Sequence, residues 1–265
     1  MNVLVCIKQV PDTTDIKINK KTGTILREGV PSVINPSDKH AIEEGLLLRE
    51  KFGGKVTVIT MGPPQSREAL HEAIAMGINK AILLTDRKFA GADTLATSYT
   101  LAQAIRKLEK EGNRFDIIIC GSKSIDGDTA QTPIELAETL NIPQITYVTN
   151  LAIRDKTVRA IRDVDDGYEV IESEMPVLIT ISKELNSPRY PSIKGIVQSF
   201  QKGFINVLTS EDIEIDKSKI GLSGSATQVI TVFTPEAKKE GIILQGDPKE
   251  IVNNIINQLQ KKNLI

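Results

Sequence analysis

This sequence contains no tryptophan, and aromatic residues make up only 4% of the chain. Proteins that hold single-stranded nucleic acids usually stack the bases on aromatic side chains, so this composition argues against a nucleic-acid partner. The formal net charge of -1 points the same way. Such a balance creates no overall field that would attract a phosphate backbone or an anionic membrane.

Cysteine and histidine are scarce too, with two of each in the chain. Cys6 and Cys120 lie in apolar runs, which is typical of buried thiols in a reducing compartment, and so few ligands do not make a structural zinc site. His40 and His71 suggest no Ser-His-Asp set. We therefore expect no catalytic residue of the chain's own, and any transfer of electrons or hydride must depend on a cofactor.

Long hydrophobic runs are also missing, since none approaches the ~18 residues of a membrane span. The first ten residues, MNVLVCIKQV, lack the basic start of a signal peptide, and their apolar run ends at Lys8. This pattern indicates a β-strand rather than a targeting segment. We expect a cytoplasmic protein with no membrane contact.

Up to about residue 185, short apolar runs rich in β-branched residues alternate with helical patterns. This alternation predicts an α/β fold with a doubly wound, mainly parallel sheet. A hairpin that turns at Asp166-Gly167 predicts antiparallel strands at one sheet edge. A further hairpin is predicted over residues 15–29, around the sequence KKTG.

Three helix starts carry capping signals. Ser37 or Asp38 is expected to cap the first helix, and Asp93 or Thr94 to cap a later one. The stretch Thr132–Glu135 fits a capping box with Pro133 at the first helical position. All three starts follow predicted strands, so they are expected at the carboxyl edge of the sheet.

Residues 186–265 differ in character from the preceding domain, because most of them show no sustained period while keeping many Ile, Val and Phe residues. So long a stretch is seldom a free loop. We predict two parts: a nucleotide-binding α/β domain over residues 1–185, and a C-terminal arm over residues 186–265 that packs on a partner. The arm ends in an amphipathic helix with Ile251, Ile255 and Leu259 on one stripe.

Five segments are predicted to meet at the carboxyl edge of the sheet, where open parallel sheets bind ligands. Four of them lead into helix starts, whose N–H groups favour phosphate oxygens. Each segment alone is equally consistent with a capped turn that binds no ligand. The prediction of a ligand site depends on how many such segments meet at one edge. The segments are Lys8–Thr14, Asn35–Asp38, Thr60–Pro63, Ala90–Thr97 and Gly121–Thr132.

The last segment contains two carboxylates, Asp126 and Asp128, within the sequence CGSKSIDGDTAQTP. They could bind a divalent cation, cap the turn and the following helix, or accept hydrogen bonds from ribose hydroxyls or an adenine amine. We favour the readings without a metal. Phosphates would then lie at the N–H groups of residues 129–132 rather than beside the aspartates.

Several stretches together resemble the β subunit of electron transfer flavoproteins, in the order of that family and along almost the whole chain. The most specific are GSKSIDGDTAQT and NSPRYPSIKGI. Supporting stretches are VCIKQVPDTTDIKIN, INPSDKHAIEEGLLLRE, VTVITMGPP and ADTLATSYTLA. The resemblance implies a heterodimer with an α subunit.

The resemblance further implies a nucleotide in the β subunit, which is AMP in respiratory members and FAD in electron-bifurcating members. In the latter, FAD accepts hydride from NADH, one electron goes to ferredoxin or flavodoxin, and the other passes through the α-subunit FAD to an acyl-CoA dehydrogenase or enoyl-CoA reductase partner. That partner would dock near Pro188–Val197. Pro11–Thr14 and Gly91–Ser98 depart from the respiratory pattern and favour the bifurcating group.

Two alternatives remain at this point: a β subunit with AMP as a structural nucleotide, and a nucleotide-binding signalling protein of related fold. A nitrogen-fixation-linked relative that feeds electrons to quinone is a further possibility within the family. The segments at the carboxyl edge of the sheet and the family resemblance together give the candidate cofactor-binding residues. They are Ile7, Lys8, Gln9, Val10, Asn35, Asp38, Thr60, Met61, Gly62, Asp93, Thr94, Thr97, Cys120, Gly121, Ser122, Asp126, Asp128, Thr129, Ala130, Gln131 and Thr132.

Overall fold

The computed structural model describes residues 1–12, 31–230, 241 and 243–265. The strands in these ranges are β1 (Asn2–Cys6), β2 (Gln9–Pro11), β3 (Ser32–Ile34), β4 (Lys55–Met61), β5 (Lys80–Leu84), β6 (Ile117–Gly121), β7 (Gln144–Arg154), β8 (Thr157–Val164), β9 (Gly167–Glu174), β10 (Val177–Ile181) and β11 (Ile205–Leu208). The helices are α1 (Pro36–Phe52), α2 (Arg67–Met76), α3 (Thr94–Lys110), α4 (Thr132–Leu140), α5 (Ile193–Ser199) and α6 (Pro248–Lys261). The predicted hairpin over residues 15–29 lies outside the described residues.

Nine strands form one sheet in the order β11-β5-β4-β1-β6-β10-β7-β8-β9. The first seven run parallel, and β8 and β9 add an antiparallel hairpin at the edge. β2 and β3 form a separate antiparallel pair. The predicted α/β class, with a mainly parallel sheet and an antiparallel edge, is confirmed.

The parallel sheet is buried on both faces, which explains why its central strands are almost continuous apolar runs. On one face, Val3 and Val5 of β1 pack with Ile42 and Leu70 of α1 and α2. On the other face, Leu4 packs in a second cluster with residues of α3 and α4. Two helices therefore cover each side of the central strands.

The strand order reverses around β1, which lies between β4 and β6. From β1 the chain builds outward through β4 and β5, and then returns to place β6 on the opposite side of β1. In open α/β sheets, such a reversal leaves a crevice beyond the carboxyl ends of the two adjoining strands. The crevice here adjoins Cys6 and Gly121, the last residues of β1 and β6.

Residues 186–230, which we assigned to the arm, lie in the same compact unit as the α/β domain. β11 extends the sheet by pairing in parallel with β5, and the compact unit runs from Met1 to Ile230. A strand of four residues carries too little pattern to be read from sequence. Whether this part also packs on a partner, as predicted for residues 186–265, stays a prediction.

The second unit spans Thr231–Ile265 and contains α6. The helix begins at Pro248. Of the predicted stripe, Ile255 is exposed, whereas Ile251 and Leu259 are half-buried. Among the helices of the described ranges, none is long and apolar enough to cross a membrane.

Candidate functional site

Asp38 joins three segments at the crevice between β1 and β6. Its Oδ2 accepts a hydrogen bond from the backbone N–H of Lys8 at 2.7 Å, and its Oδ1 accepts one from Asn35 Nδ2 at 3.0 Å. Asn35 also donates to the carbonyl of Lys123 at 2.9 Å and accepts from the N–H of Ile125 at 3.1 Å. The end of β1, the start of α1 and the loop after β6 are therefore fastened together by two buried side chains.

Asp38 lies inside this junction rather than at a helix cap. Burial raises the pKa of its carboxyl to about 7, against the lowering effect of hydrogen bonds from Asn35, Lys8 and Gly121. The first helix has Asn35 at its N-cap position, so the expected cap at Ser37 or Asp38 was wrong. Gly121 is required here, because a Cβ atom would overlap Asp38 and the backbone of Ser37.

The loop between β6 and α4 carries two ion pairs. Lys8 Nζ lies 2.7 Å from Asp126 Oδ1, and Lys123 Nζ lies 2.7 Å from Asp128 Oδ1. Burial alone would raise the pKa of Asp126, but the hydrogen bond and charge of Lys8 outweigh it and hold the pKa below its ordinary value. Both carboxylates are thus paired with lysines, and the described residues contain no cluster of three metal-ligating side chains.

After the aspartates, the loop presents backbone donors at the start of α4. Asp128 and Ala130 both have left-handed φ angles, of 53° and 56°. No acceptor in the described part of the chain takes a hydrogen bond from the N–H groups of residues 129–132. Four neighbouring donors at a helix N-terminus suit the oxygens of a phosphate group.

The capping box predicted for Thr132–Glu135 is absent. Gln131 occupies the N-cap position without a side-chain hydrogen bond, and Thr132 is already helical. Glu135 instead accepts a hydrogen bond from Thr94 Oγ1 at 3.1 Å. This contact ties the start of α3 to the first turn of α4, and it leaves the α4 amides open.

The candidate residues at the start of α3 are largely engaged by the protein. Asp93 Oδ1 caps the helix through the N–H of Ala96 at 3.0 Å, and its Oδ2 accepts from both the N–H and the hydroxyl of Thr227. Burial opposes ionisation of Asp93, but the bonds from Ala96 and Thr227 lower its pKa. Asp93 therefore anchors the segment around Thr227, and Thr97 is the member of this group whose hydroxyl has no partner among the described residues.

The remaining candidates fall into two groups. Ile7, Val10 and Cys120 are buried, so only their backbone can contact a ligand. Half-buried positions next to strand ends, at the predicted edge of the sheet, are occupied by Gln9, Met61, Gly62 and Ser122. Thr60 is different, because its hydroxyl is buried and has no hydrogen-bond partner among the described residues. An unpartnered buried hydroxyl is costly, but this one is as closed to a ligand as the side chains of Ile7 and Val10.

Sequence reasoning missed two residues of this site, Lys123 and Glu135. Lys123 lies within the quoted motif, and the presence of a lysine and an aspartate in one short loop could have indicated its ion pair with Asp128. Burial raises the pKa of Glu135, whose Oε2 is buried and unpartnered among the described residues. The hydrogen bond from Thr94 of α3 to Glu135 joins residues 41 positions apart, and no local sequence pattern predicts such a contact.

A second surface lies at the segment predicted to dock a partner. Tyr190, Ile193, Val197 and Phe200 expose 64–93% of their surface. The segment is fixed from below by Arg189, whose guanidinium forms a bidentate pair with buried Glu43 at 2.8 and 2.9 Å and contacts Glu50 at 2.6 Å. We call these three residues the Arg189 latch.

The sequence matches known proteins over its full length. A profile of the electron transfer flavoprotein domain matches residues 22–210. The electron transfer flavoprotein subunit beta of Thermoanaerobacterium thermosaccharolyticum is 51% identical, with all of both chains covered. Coverage is also complete for the caffeyl-CoA reductase-Etf complex subunit CarD of Acetobacterium woodii, at 46% identity, and for the acryloyl-CoA reductase electron transfer subunit gamma of Anaerotignum propionicum, at 41%.

Proposed function

Because this chain belongs to the electron transfer flavoprotein family, as a β subunit, we propose that it holds FAD in the crevice between β1 and β6. In this proposal, FAD accepts hydride from NADH and the pair of electrons is divided. One goes to ferredoxin or flavodoxin, and the other goes through the FAD of an α subunit to an acyl-CoA dehydrogenase-type partner. The observation that carries the nucleotide assignment is the row of open amides at residues 129–132 beside the Lys8–Asp126 pair.

The residues of the crevice fit a nucleotide with phosphate groups. The amides of residues 129–132 would bind phosphate oxygens, and the N-terminal charge of the α4 dipole would favour them. Asp126, held ionised by Lys8, would accept hydrogen bonds from a ribose. When bound, FAD would supply the ability to take up two electrons and release them singly.

The proposed partner rests on the relatives and on the surface near Pro188–Val197. CarD and the acryloyl-CoA reductase subunit carry names that place them with reductases of CoA esters. The exposed apolar side chains at Tyr190, Ile193 and Val197 form a patch of the kind that marks a protein interface. We propose that this patch binds the acyl-CoA dehydrogenase-type partner.

The alternative is a β subunit that holds AMP as a structural nucleotide, with all redox work done by the α subunit. The open amides fit a single phosphate as well as a pyrophosphate. The hydroxyls at the start of α3 favour FAD less than the sequence suggested, since Thr94 is bonded to Glu135. The other alternative, a signalling protein of related fold, is set aside by the full-length family match.

Cofactor content distinguishes the two readings. The chain would be co-expressed with its α subunit, and the purified complex would be denatured to release bound nucleotides for chromatography and for an absorbance spectrum. Two flavins per heterodimer support the FAD proposal. One flavin with one AMP supports the alternative, and a complex without flavin or AMP contradicts both.

A further inference from the structure

Tyr147 has a backbone conformation that its residue type disfavours. Its φ is 56°, in the left-handed region. Among the described residues other than glycine with such an angle, Tyr147 is the only aromatic one and the only one inside a strand. A bulky residue seldom adopts this angle without a compensating contact.

A bulge in β7 holds Tyr147 in place. The pairing of β7 with β10 shifts register between Ile145 and Val148, so residues 146 and 147 together lie opposite the single residue Thr180 of β10. The N–H of Tyr147 donates to the hydroxyl of buried Thr180 at 2.9 Å. Bulges of this kind change the direction of a side chain, and they are common beside functional sites.

The bulge lies at the edge of the sheet that carries the nucleotide site. Ile181 of β10 is paired with both Val148 of β7 and Gly121 of β6, so Tyr147 is level with the point where the loop after β6 begins. Its side chain is 43% exposed.

We propose that Tyr147 forms an aromatic wall of the nucleotide site, with its ring packed against the planar heterocycle of the bound nucleotide. The inference rests on the proposed function, because it needs a nucleotide at residues 129–132. The phosphates would be held by the amides of α4, and the heterocycle would extend toward the bulge. The heterocycle is either adenine or a flavin ring, and both offer a flat face to an aromatic side chain.

The test uses the full chain in complex with its α subunit, after removal of the β-site nucleotide. FAD and AMP are titrated separately by calorimetry into the parent and into Tyr147→Asn and Tyr147→Phe. Asn tolerates the left-handed angle and lacks the ring, so both ligands are expected to bind about tenfold more weakly if the ring meets adenine. If the Tyr147 ring packs against the flavin instead, only the binding of FAD should become weaker. Phe keeps the ring and should bind within about twofold of the parent.

Tyr168→Asn is the matched control, since Tyr168 is an exposed tyrosine in β9. It should bind both ligands as the parent does, and thermal unfolding should show that all variants are folded. If the parent binds a nucleotide and Tyr147→Asn binds it equally well, the inference is overturned while the proposed function stands. If Tyr147→Asn is unfolded, weaker binding by folded Tyr147→Phe contradicts stacking. A parent that binds neither FAD nor AMP overturns both.

Discussion

Asp38 illustrates, at the scale of a single residue, how a candidate site residue can be fully engaged by the protein itself. Its carboxylate is occupied by Asn35, by the N–H of Lys8 and by the N–H of Gly121. Each of these partners belongs to a segment that we expected to contact the nucleotide. Asp38 therefore holds these three segments together, and we expect its protonation state to change the stability of the folded chain.

We expect the stability of the chain to fall as pH rises toward 7 because of Asp38. Its pKa is about 7 in the folded chain, against an ordinary value of 3.8. Between these values the folded state binds more protons than the unfolded state, so the contribution is complete below about pH 4 and is lost by about pH 7. Over that interval it amounts to at most about 4 kcal/mol. Urea unfolding at intervals of pH measures it.

Asp38→Asn serves as the comparison, because it cannot ionise. It should be less stable than the parent at low pH, since its amide nitrogen faces N–H donors and cannot accept from them. The difference between parent and variant should shrink as pH rises to about 7. Parallel stability curves for the two proteins between pH 4 and 7 would show that Asp38 does not titrate in this range.

Thr129 offers a direct test of the phosphate position. Thr129→Glu should abolish nucleotide retention, because a carboxylate at the start of α4 repels phosphate and can itself accept from the open amides. Nucleotide released from the purified complex is measured by chromatography. Thr129→Ser is the control and should retain the parent's content. A Thr129→Glu complex with undiminished nucleotide would move the phosphates away from residues 129–132.

At the scale of an element, the Arg189 latch determines how the exposed segment around α5 is mounted. Arg189→Met should destabilise the chain by about 2–4 kcal/mol, because it leaves Glu43 buried without its partner. Arg189→Met combined with Glu43→Leu should recover most of that loss, since an apolar pair replaces a buried ion pair at little cost. Urea unfolding gives the stabilities, and hydrogen exchange should quicken over residues 186–200 in the single variant.

Arg159→Met is the matched control for the latch. Arg159 pairs with Glu172 across β8 and β9, and more than half of each side chain is exposed. Loss of this surface pair should cost less than about 1 kcal/mol. If Arg189→Met is no less stable than Arg159→Met, the latch does not fix the segment.

The elements that the sequence predicted well are those with a local cause. Alternating strand and helix patterns predicted the parallel sheet, and the apolar period of residues 251–259 predicted the terminal helix α6. The failures have non-local causes. Glu135 fits a capping box by spacing, but a hydroxyl from α3 takes its carboxylate. β11 has four residues, and its place beside β5 follows from tertiary pairing rather than from any period.

For the whole molecule, the division at Ile230 predicts what truncation does. Removal of residues 231–265 should leave the remaining unit folded, with an unfolding midpoint within a few degrees of the parent, because that unit is compact by itself. Yield of the heterodimer should fall, since the stripe of α6 would no longer be present to pack on the α subunit. Calorimetry and size-exclusion chromatography of the co-expressed pair measure the two effects.

Two point variants separate the stripe from the rest of the removed segment. Ile255→Lys places a charge on the exposed apolar face, while Asn257→Lys places one on the opposite face of the same helix. Only the first should reduce the heterodimer. Equal yields for both would show that α6 does not contact the α subunit through this stripe.

The site as a whole was predicted better than its internal contacts. The rule of strand ends predicted that these loops meet at one edge of the sheet, and in the structure they do; that they bind a nucleotide stays a prediction. The roles within the site depend on contacts such as Asn35 with Lys123 and Lys8 with Asp126, which join residues 88 and 118 positions apart. The sequence contains both partners of each pair, but nothing local assigns them to each other.

The position of β6 beside β1 also sets a limit on when the crevice can form during synthesis. Residues 1–84 can pair β1, β4 and β5 as they emerge from the ribosome, yet one wall of the crevice is made by residues 117–132. Until that stretch has been translated, the far edge of β1 is unpaired and Asp38 lacks the N–H of Gly121. A shorter nascent chain lacks one wall of the proposed nucleotide site, so a bound nucleotide could stabilise the fold only after about half of the protein has been made.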